Sequence, residues 1–209
     1  MGQAEPQQRR YTAEEYFALE EQSDVRHEFF EGEVFAMAGE SIPHNKLVGN
    51  AYFALRQALG DRPCQVLFET VQVAVEHSRH YTYPDIVVSY DPRDQQETRR
   101  QHHPVLLIEV LSPSTAAYDR GQKFKQYQTL PSLRHYVLVA QTTWRVEWYR
   151  RNEANEWVIT VLTEPKETLS IAELNLSLTV AEVYQKTGVA QLRVASAREG
   201  ELDASQAEE

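Results

Sequence analysis

Residues 105–111 constrain this chain most strongly, because they form a continuous apolar run that carries a single acid, Glu109. A continuous apolar run, without alternating polar positions, predicts a strand that is buried on both faces. A carboxylate at such a position is costly to bury unless a positive charge meets it. We therefore expect Glu109 to face a cation.

A second acid stands at the start of the preceding predicted strand. Asp85 follows Pro84 and precedes the β-branched run 86–89. If the two strands are neighbours, Asp85 and Glu109 converge at one edge of the sheet. Carboxylate oxygens are the ligands that Mg²⁺ and Mn²⁺ prefer, and Mg²⁺ keeps several waters and binds substrate phosphate as well. The pair thus predicts a Mg²⁺ or Mn²⁺ site, although Pro-Asp is also a common turn pair and the dipeptide alone leaves a plain turn open.

A predicted helix over residues 119–130 supplies a candidate side-chain cation. Asp119, Lys123 and Tyr127 recur at four-residue spacing and so lie on one helix face. Lys123 can point at the sheet and stabilise charge in a transition state. Lys125 lies roughly 200° away from Lys123 on an ideal helix and is the weaker candidate. The spacing leaves a second interpretation open, in which Asp119 and Lys123 form an ordinary surface salt bridge.

The remaining pattern predicts a mixed fold. Thr12 and Glu15 form a capping-box pattern that opens a short helix. Residues 41–60 predict a longer helix that ends at Gly60, with a buried stripe at four-residue spacing. Strands and helices follow one another without strict alternation, so the fold class is α/β (α+β mixed), a central mixed sheet flanked by helices with an extra β-hairpin near the C-terminus. The residues of the helix stripe are Leu47, Ala51, Leu55 and Leu59. The predicted strand segments are 28–35 (a hairpin), 66–75 (two strands or one bent strand), 86–89, 104–111, 134–140 and 144–162 (the C-terminal hairpin).

The length and composition of the chain are typical of a soluble, single-domain protein. The chain has 209 residues, of which 42% are hydrophobic and 25% charged, as in an ordinary soluble domain. We expect one domain over residues 11–188, between a flexible N-terminus at 1–10 and a disordered acidic tail at 189–209. No stretch is apolar enough to span a membrane. Cys64 is the single cysteine, which excludes an internal disulfide, and a cytoplasmic protein is expected.

The net charge and the missing motifs narrow the function. A formal charge of -10 argues against a protein that coats nucleic acid by electrostatics alone. It argues less strongly against a nuclease, because acids in a metal site are offset by the ion. The serine-hydrolase elbow, the P-loop and the Rossmann glycine fingerprint are absent from the sequence. Asp85, Glu109 and Lys123 therefore remain as the candidate site residues.

Several short motifs, taken together, resemble a known family. The chain is similar over roughly residues 11–188 to the "putative restriction endonuclease" family of the PD-(D/E)XK nuclease superfamily. The matching segments are Pro84-Asp85, Glu109-Val110-Leu111-Ser112-Pro113-Ser114, Asp119-Arg120-Gly121-x-Lys123 with Tyr127, residues 28–33, His44-Asn45 and residues 131–138.

The resemblance implies a restriction endonuclease-like fold with metal held by Asp85 and Glu109. It implies that Glu28 contributes a further acid and that His44 has a role in the site. The superfamily lysine normally lies two residues after the second acid, where this chain has Leu111. The resemblance to this particular family implies that Lys123, on the following helix, takes the lysine role.

Two hypotheses for function follow. The first is a Mg²⁺-dependent endonuclease that hydrolyses DNA phosphodiester bonds by metal-assisted attack of water, with Asp85 and Glu109 as ligands and Lys123 aiding the nucleophile or the transition state. A homodimer fits this hypothesis, because duplex cleavage often uses two sites related by symmetry. The second is a catalytically inactive nucleic-acid-binding or interaction module on the nuclease scaffold, which the acidic charge favours.

Overall fold

The computed structural model describes residues 9–37, 39–75 and 79–191. The flexible N-terminus and the acidic tail that the sequence predicts lie almost entirely outside these residues, and the predicted domain bounds stay a prediction. In chain order the strands are β1 (His27–Phe30), β2 (Glu33–Ala36), β3 (Gln65–Phe68), β4 (Gln72–Val75), β5 (His80–Thr82), β6 (Ile86–Ser89), β7 (Arg100–Gln101), β8 (Leu106–Leu111), β9 (His135–Ala140), β10 (Val146–Arg151), β11 (Trp157–Leu162), β12 (Thr168–Ile171) and β13 (Leu176–Thr179).

The described strands form three sheets. A six-stranded mixed sheet has the order β11-β10-β9-β8-β6-β3, and within it only β8 and β9 are parallel. A five-stranded sheet has the order β2-β1-β5-β4-β7, and β12 pairs with β13 alone. The predicted central mixed sheet is confirmed. The predicted C-terminal hairpin also forms, as β10 and β11, and it extends the central sheet at one edge.

The first two helices begin at the capping residues that the sequence predicts. Ser41 caps the long helix through a hydrogen bond that its Oγ accepts from the His44 backbone, and Gly60 ends the helix with φ of 53°. The predicted capping box of Thr12 and Glu15 is present in full. The helices are α1 (Ala13–Gln22), α2 (Ile42–Leu59), a site helix made of Ala116–Tyr118, the π-helical turn Asp119–Lys123 and Phe124–Tyr127, and a C-terminal helix (Val180–Tyr184), with 3₁₀ turns at Asp94–Gln96 and Ala172–Leu174.

The strands β6, β8 and β9 in the middle of the central sheet are buried on both faces, as their continuous apolar runs predict. On one face α2 contributes its whole predicted stripe, and Leu106, Ile108 and Val110 of β8 pack against it. On the other face Leu107 and Leu111 pack against the site helix. Because successive strand residues point to opposite faces, Glu109 is directed toward the site helix and away from α2.

The sequence predicts two strands or one bent strand over 66–75, and the structure has two, β3 and β4, which belong to different sheets. The structure departs from the prediction elsewhere. The helix predicted at 119–130 begins three residues earlier, at Ala116, and contains a π-helical turn. The strands β5 and β7, of three and two residues, are too short to give a periodic signal. The β12–β13 hairpin does alternate, with Leu169, Ile171, Leu176 and Leu178 buried, and the sequence prediction missed that signal. No helix in the described parts of the chain is long and apolar enough to cross a bilayer.

Candidate active site

The five side chains predicted for the site come together in one cleft of about 520 Å³. They arrive from five separate elements. Glu28 lies in β1, His44 in the first turn of α2, Asp85 immediately before β6, Glu109 in β8 and Lys123 in the site helix. The sequence predicts that Asp85 and Glu109 converge if their strands are neighbours, and in the structure all five side chains line the same cleft.

Strand register places the two predicted metal ligands side by side. β6 and β8 are antiparallel neighbours in which Ile86 is paired with Ile108, so the next position along each strand brings Asp85 beside Glu109. The Val110 backbone N–H donates to Asp85 Oδ2 at 2.6 Å, which fixes the aspartate against the edge of β8. Asp85 is therefore held by the sheet itself, and the plain-turn interpretation of Pro-Asp does not account for this contact.

Lys123 is the cation that Glu109 requires. Its Nζ lies 2.9 Å from Glu109 Oε1, 3.1 Å from Glu28 Oε1 and 3.6 Å from Asp119 Oδ1. The Lys123 side chain is 7% exposed and that of Asp119 is 5% exposed, which rules out the surface salt bridge that the spacing left open. Lys125, two residues later, is exposed to solvent.

The position of Leu111 explains how the ammonium can come from the helix. Leu111 shares the Glu109 face of β8 and packs in the core with Phe124 and Tyr127 of the site helix. The π-helical turn Asp119–Lys123 lies directly before these anchoring residues. Such turns occur frequently at functional sites. The strand position of the superfamily lysine is thus filled by a packing residue, and the adjacent helix delivers the charge.

The cleft contains more negative than positive charge. Among the described residues that line this cleft, Lys123 is the one lysine or arginine. The acids that surround it are Glu28, Asp85, Glu109 and Asp119. Burial raises the pKa of Glu109 well above its ordinary value, and the neighbouring carboxylates reinforce this against the opposing effect of Lys123. Burial would lower the pKa of Lys123, but Glu109 and Glu28 raise it well above its ordinary value. Lys123 therefore stays charged at neutral pH.

His44 contacts the aspartate from the α2 side. Its Nε2 lies 3.3 Å from Asp85 Oδ2 and 3.7 Å from Glu40 Oε2. Burial acts to lower the pKa of His44, yet the hydrogen bond and charge of Asp85 outweigh it and leave the pKa raised. The imidazole is thus suited to orient Asp85, which agrees with a supporting role in the site.

A layer of hydroxyl and backbone donors, which the sequence analysis largely missed, holds the acids in place. Tyr127 Oη donates to Glu109 Oε1 at 3.0 Å and lies 2.9 Å from Thr82 Oγ1. The Tyr83 backbone N–H donates to Glu28 Oε1 at 3.2 Å. The four-residue spacing in the sequence already predicts that Tyr127 lies on the same helix face as Lys123. Thr82 and Tyr83 directly precede Pro84-Asp85, and this adjacency is the one signal that could have identified them.

Comparison with known proteins identifies the family. The sequence profile of Uma2, described as "Putative restriction endonuclease", matches residues 13–181. The chain belongs to the Uma2 family. This confirms the resemblance drawn from the sequence, and the matched residues include every side chain of the cleft discussed above.

Two relatives and one solved structure each match most of the chain. The chain is 34% identical over 172 residues to the uncharacterized protein slr1290 of Synechocystis sp. (strain ATCC 27184 / PCC 6803 / Kazusa), covering 82% of this chain and 90% of the relative. It is 36% identical over 153 residues to the uncharacterized protein sll1609 of the same strain, covering 72% and 86%. A crystal structure titled "putative nuclease belonging to DUF820" from Anabaena variabilis ATCC 29413 matches with a TM-score of 0.71 at 17% identity, covering 83% of this chain and 97% of that one. The predicted nuclease-like fold is confirmed.

The donor chemistry of the Uma2 cleft suits a small divalent cation. The hydrogen bonds and the lysine contact go to Asp85 Oδ2 and Glu109 Oε1, and the second oxygen of each carboxylate takes no hydrogen bond from a described residue. Among those residues, no three His, Cys, Asp or Glu side chains are already gathered as a metal cage. Mg²⁺ characteristically binds through one or two carboxylates and retains waters, so two carboxylates with excess negative charge around them fit such an ion.

We expect Tyr127→Phe to weaken binding of Mn²⁺ by about 10-fold, because partners that orient a metal ligand typically contribute 10- to 100-fold to affinity. The substitution removes the hydrogen bond to Glu109 and is expected to cost about 1 kcal/mol of stability. Calorimetric titration with Mn²⁺ measures the first effect and urea unfolding the second. Tyr136→Phe is the matched control, since Tyr136 is equally buried but donates to the Asp119 backbone carbonyl. Equal Mn²⁺ affinity in both variants would contradict a positioning role for Tyr127.

Proposed function

We propose that this protein is a divalent-metal-dependent endonuclease that hydrolyses phosphodiester bonds in DNA. One observation carries the proposal. Asp85 and Glu109 lie side by side where the interior strands β6 and β8 of the central sheet pair, and a buried ammonium is 2.9 Å from Glu109. Carboxylates and a lysine in one cleft are the groups needed to hold a cation beside a phosphate and to offset the charge that develops on it. The nuclease-like fold and the family description support the same reaction class.

Each residue of the cleft has a defined task in this proposal. Asp85 and Glu109 would hold Mg²⁺ or Mn²⁺, which when bound lowers the pKa of water and polarises a phosphoryl oxygen. The Lys123 ammonium stabilises negative charge on the phosphate or orients the attacking water. Glu28 keeps Lys123 in place through its 3.1 Å contact. His44 orients Asp85 through its contact with the Oδ2 oxygen.

DNA is the proposed substrate because the family description names restriction endonucleases. The described residues offer no dense basic helix with which to read base edges, so the proposal concerns the phosphodiester backbone and includes no sequence preference. Cleavage of both strands of a duplex would use two such clefts, which a homodimer related by two-fold symmetry provides.

Incubation of supercoiled plasmid and single-stranded DNA with the purified protein tests the proposal. We expect cleavage with Mg²⁺ or Mn²⁺ and none with EDTA. A contaminating host nuclease would cleave to the same extent in an identically prepared Asp85→Asn sample, which serves as the control. The proposal fails if the wild-type protein leaves both substrates intact with either ion.

The inactive binding module is the competing function, and the net charge of -10 favours it. The buried ammonium also supplies part of the positive charge that the acids need without any metal. Calorimetry separates the two functions. Absence of Mn²⁺ binding, together with DNA affinity that is unchanged in Glu109→Ala, would support the module.

A further inference from the structure

The cleft that holds Lys123 does not end at Asp85. A second cleft of about 470 Å³ shares Glu40, His44, Tyr83 and Asp85 with it. A third cleft of about 620 Å³ continues from the second and shares Arg26, Thr70 and Tyr83 with it. Each of the three has the size of a small-molecule pocket, and the lining residues that they share join them into one groove. We call this the Tyr83 groove, since Tyr83 lines all three clefts.

Charge is distributed unequally along the Tyr83 groove. At the Lys123 end, the wall residues are mainly acids. Among the described residues that line the groove, the arginines are Arg26, Arg99 and Arg100. All three line the third cleft, where the acids Glu20, Glu21 and Glu97 balance them, and Arg26 also lines the second. The potential therefore becomes more positive with distance from the acidic centre. A polyanion that presents one phosphate at the acidic centre would have its other phosphates best accommodated at the arginine end.

The floor of the groove joins its two ends through buried hydrogen bonds. Arg100 Nε donates to Gln72 Oε1 at 2.6 Å, and Gln72 Nε2 donates to Tyr83 Oη at 3.2 Å. The Tyr83 backbone N–H in turn donates to Glu28 in the acidic cleft. Tyr83 Oη donates to the buried Glu20 at 2.8 Å, which completes the hydrogen bonding of its hydroxyl. Arg100 is thus linked through Gln72 and Tyr83 to Glu28, which contacts Lys123.

The arginines themselves are available to a ligand. Arg99 is 72% exposed, and its contact with the exposed Glu21, at 3.1 Å, is of the kind that contributes little to stability and exchanges readily. Arg26 is 49% exposed and lies 3.9 Å from Glu20. The Arg100 guanidinium stacks on Phe17 at 3.7 Å from the ring centroid and its Nε donates to Gln72, which together orient the group, and the residue is partly exposed.

We propose that a DNA strand lies along the Tyr83 groove, with a phosphodiester remote from the scissile bond bound by Arg26, Arg99 and Arg100. This inference rests on the proposed endonuclease function and adds to it a second, non-catalytic backbone site. Contacts of this kind go to phosphate, so they are independent of base sequence and position the strand. They also make binding sensitive to salt, because each neutralised phosphate releases counterions.

Arg99→Gln tests the groove, with Arg93→Gln as the matched control. Both arginines lie in the segment before β7, are similarly exposed at 72% and 70%, and have one acidic partner each, Glu21 and Asp91. Arg99 lines the groove, whereas Arg93 does not. Binding of a fluorescein-labelled duplex and of its single strand is measured by anisotropy in Ca²⁺, which replaces Mg²⁺ to suppress cleavage, and the tighter-bound probe is titrated at several salt concentrations.

We expect Arg99→Gln to reduce affinity about fivefold at low salt and to lower the slope of log affinity against log salt by about 1. The Arg26→Gln/Arg99→Gln double variant should lower the slope by about 2. Arg93→Gln should match the wild type, and Mn²⁺ binding should be unchanged in all three variants. Equal affinities for wild type, Arg99→Gln and Arg93→Gln would overturn the groove and leave the endonuclease proposal standing, and so would equal losses in both single variants. Failure of the wild type to bind either probe would overturn both proposals.

Discussion

Replacing Lys123 with methionine is expected to lower the free energy of unfolding of the metal-free protein by about 3 to 5 kcal/mol, the cost of leaving a buried charge without its partner. For a chain of this length the loss corresponds to a fall in Tm of roughly 10 °C. The reason is the geometry of the cleft, where the one ammonium contacts Glu28, Glu109 and Asp119. Urea unfolding in EDTA measures the effect.

Two further variants sharpen this test. Lys125→Met changes an exposed lysine of the same helix and should alter stability by no more than about 0.5 kcal/mol. Lys123→Met/Glu109→Gln removes a negative charge together with the positive one, and it should recover part of the stability that the single variant loses. Saturating Mn²⁺ should raise the Tm of Lys123→Met more than that of the wild type. Identical stabilities of Lys123→Met and Lys125→Met would show that the acids do not depend on this ammonium.

Asp85→Asn is expected to reduce the rate of metal-dependent DNA cleavage by at least about 10²- to 10³-fold, the effect of removing one electrostatic contributor from an active site. Asparagine keeps the side-chain oxygen that can accept the Val110 N–H, so the local fold should be retained. The substitution removes the charge that a divalent ion needs. Cleavage rates at saturating Mg²⁺ and the Mn²⁺ affinity from calorimetry measure the two consequences.

Glu33→Gln is the control for Asp85→Asn. Glu33 lines the same cleft, but it pairs loosely with Arg10 at 3.8 Å and its side chain is 37% exposed. Its cleavage rate and Mn²⁺ affinity should stay close to those of the wild type. Wild-type cleavage by Asp85→Asn would rule out Asp85 as a metal ligand, and equal losses in the two variants would indicate a general effect of cleft charge.

The sequence was most informative where burial and register decide the structure. The apolar run around Glu109 predicted a strand buried on both faces, and β8 is such a strand. Whether the strand after Asp85 is a neighbour of β8 is left open by the sequence, and the pairing of β6 with β8 shows that it is. Capping signals predicted α2 to within one residue at each end.

The parts that could not be predicted depend on contacts between distant segments. Nothing in the local sequence shows that residues 119–123 form a π-helical turn, since that turn is stabilised by the packing of Phe124 and Tyr127 on the sheet. The strand β7 exists through two paired residues, which are too few for a periodic signal. The Tyr83 groove brings Arg26 and Arg99 together from segments more than seventy positions apart in the sequence.

Glu28 and Glu109 share the ammonium of Lys123, yet they belong to different sheets, since β1 is part of the five-stranded sheet and β8 of the six-stranded one. The proposed reaction centre therefore lies at the boundary between the two sheets. The sheets also share a hydrophobic cluster, in which Val73 and Val75 of β4 pack with Leu107 of β8, so a shift of one sheet against the other would disturb this cluster as well as a contact to Lys123. The proposed activity would then depend on how the five-stranded and six-stranded sheets pack against each other. Substitutions far from the cleft that loosen this packing should lower activity while each sheet remains folded.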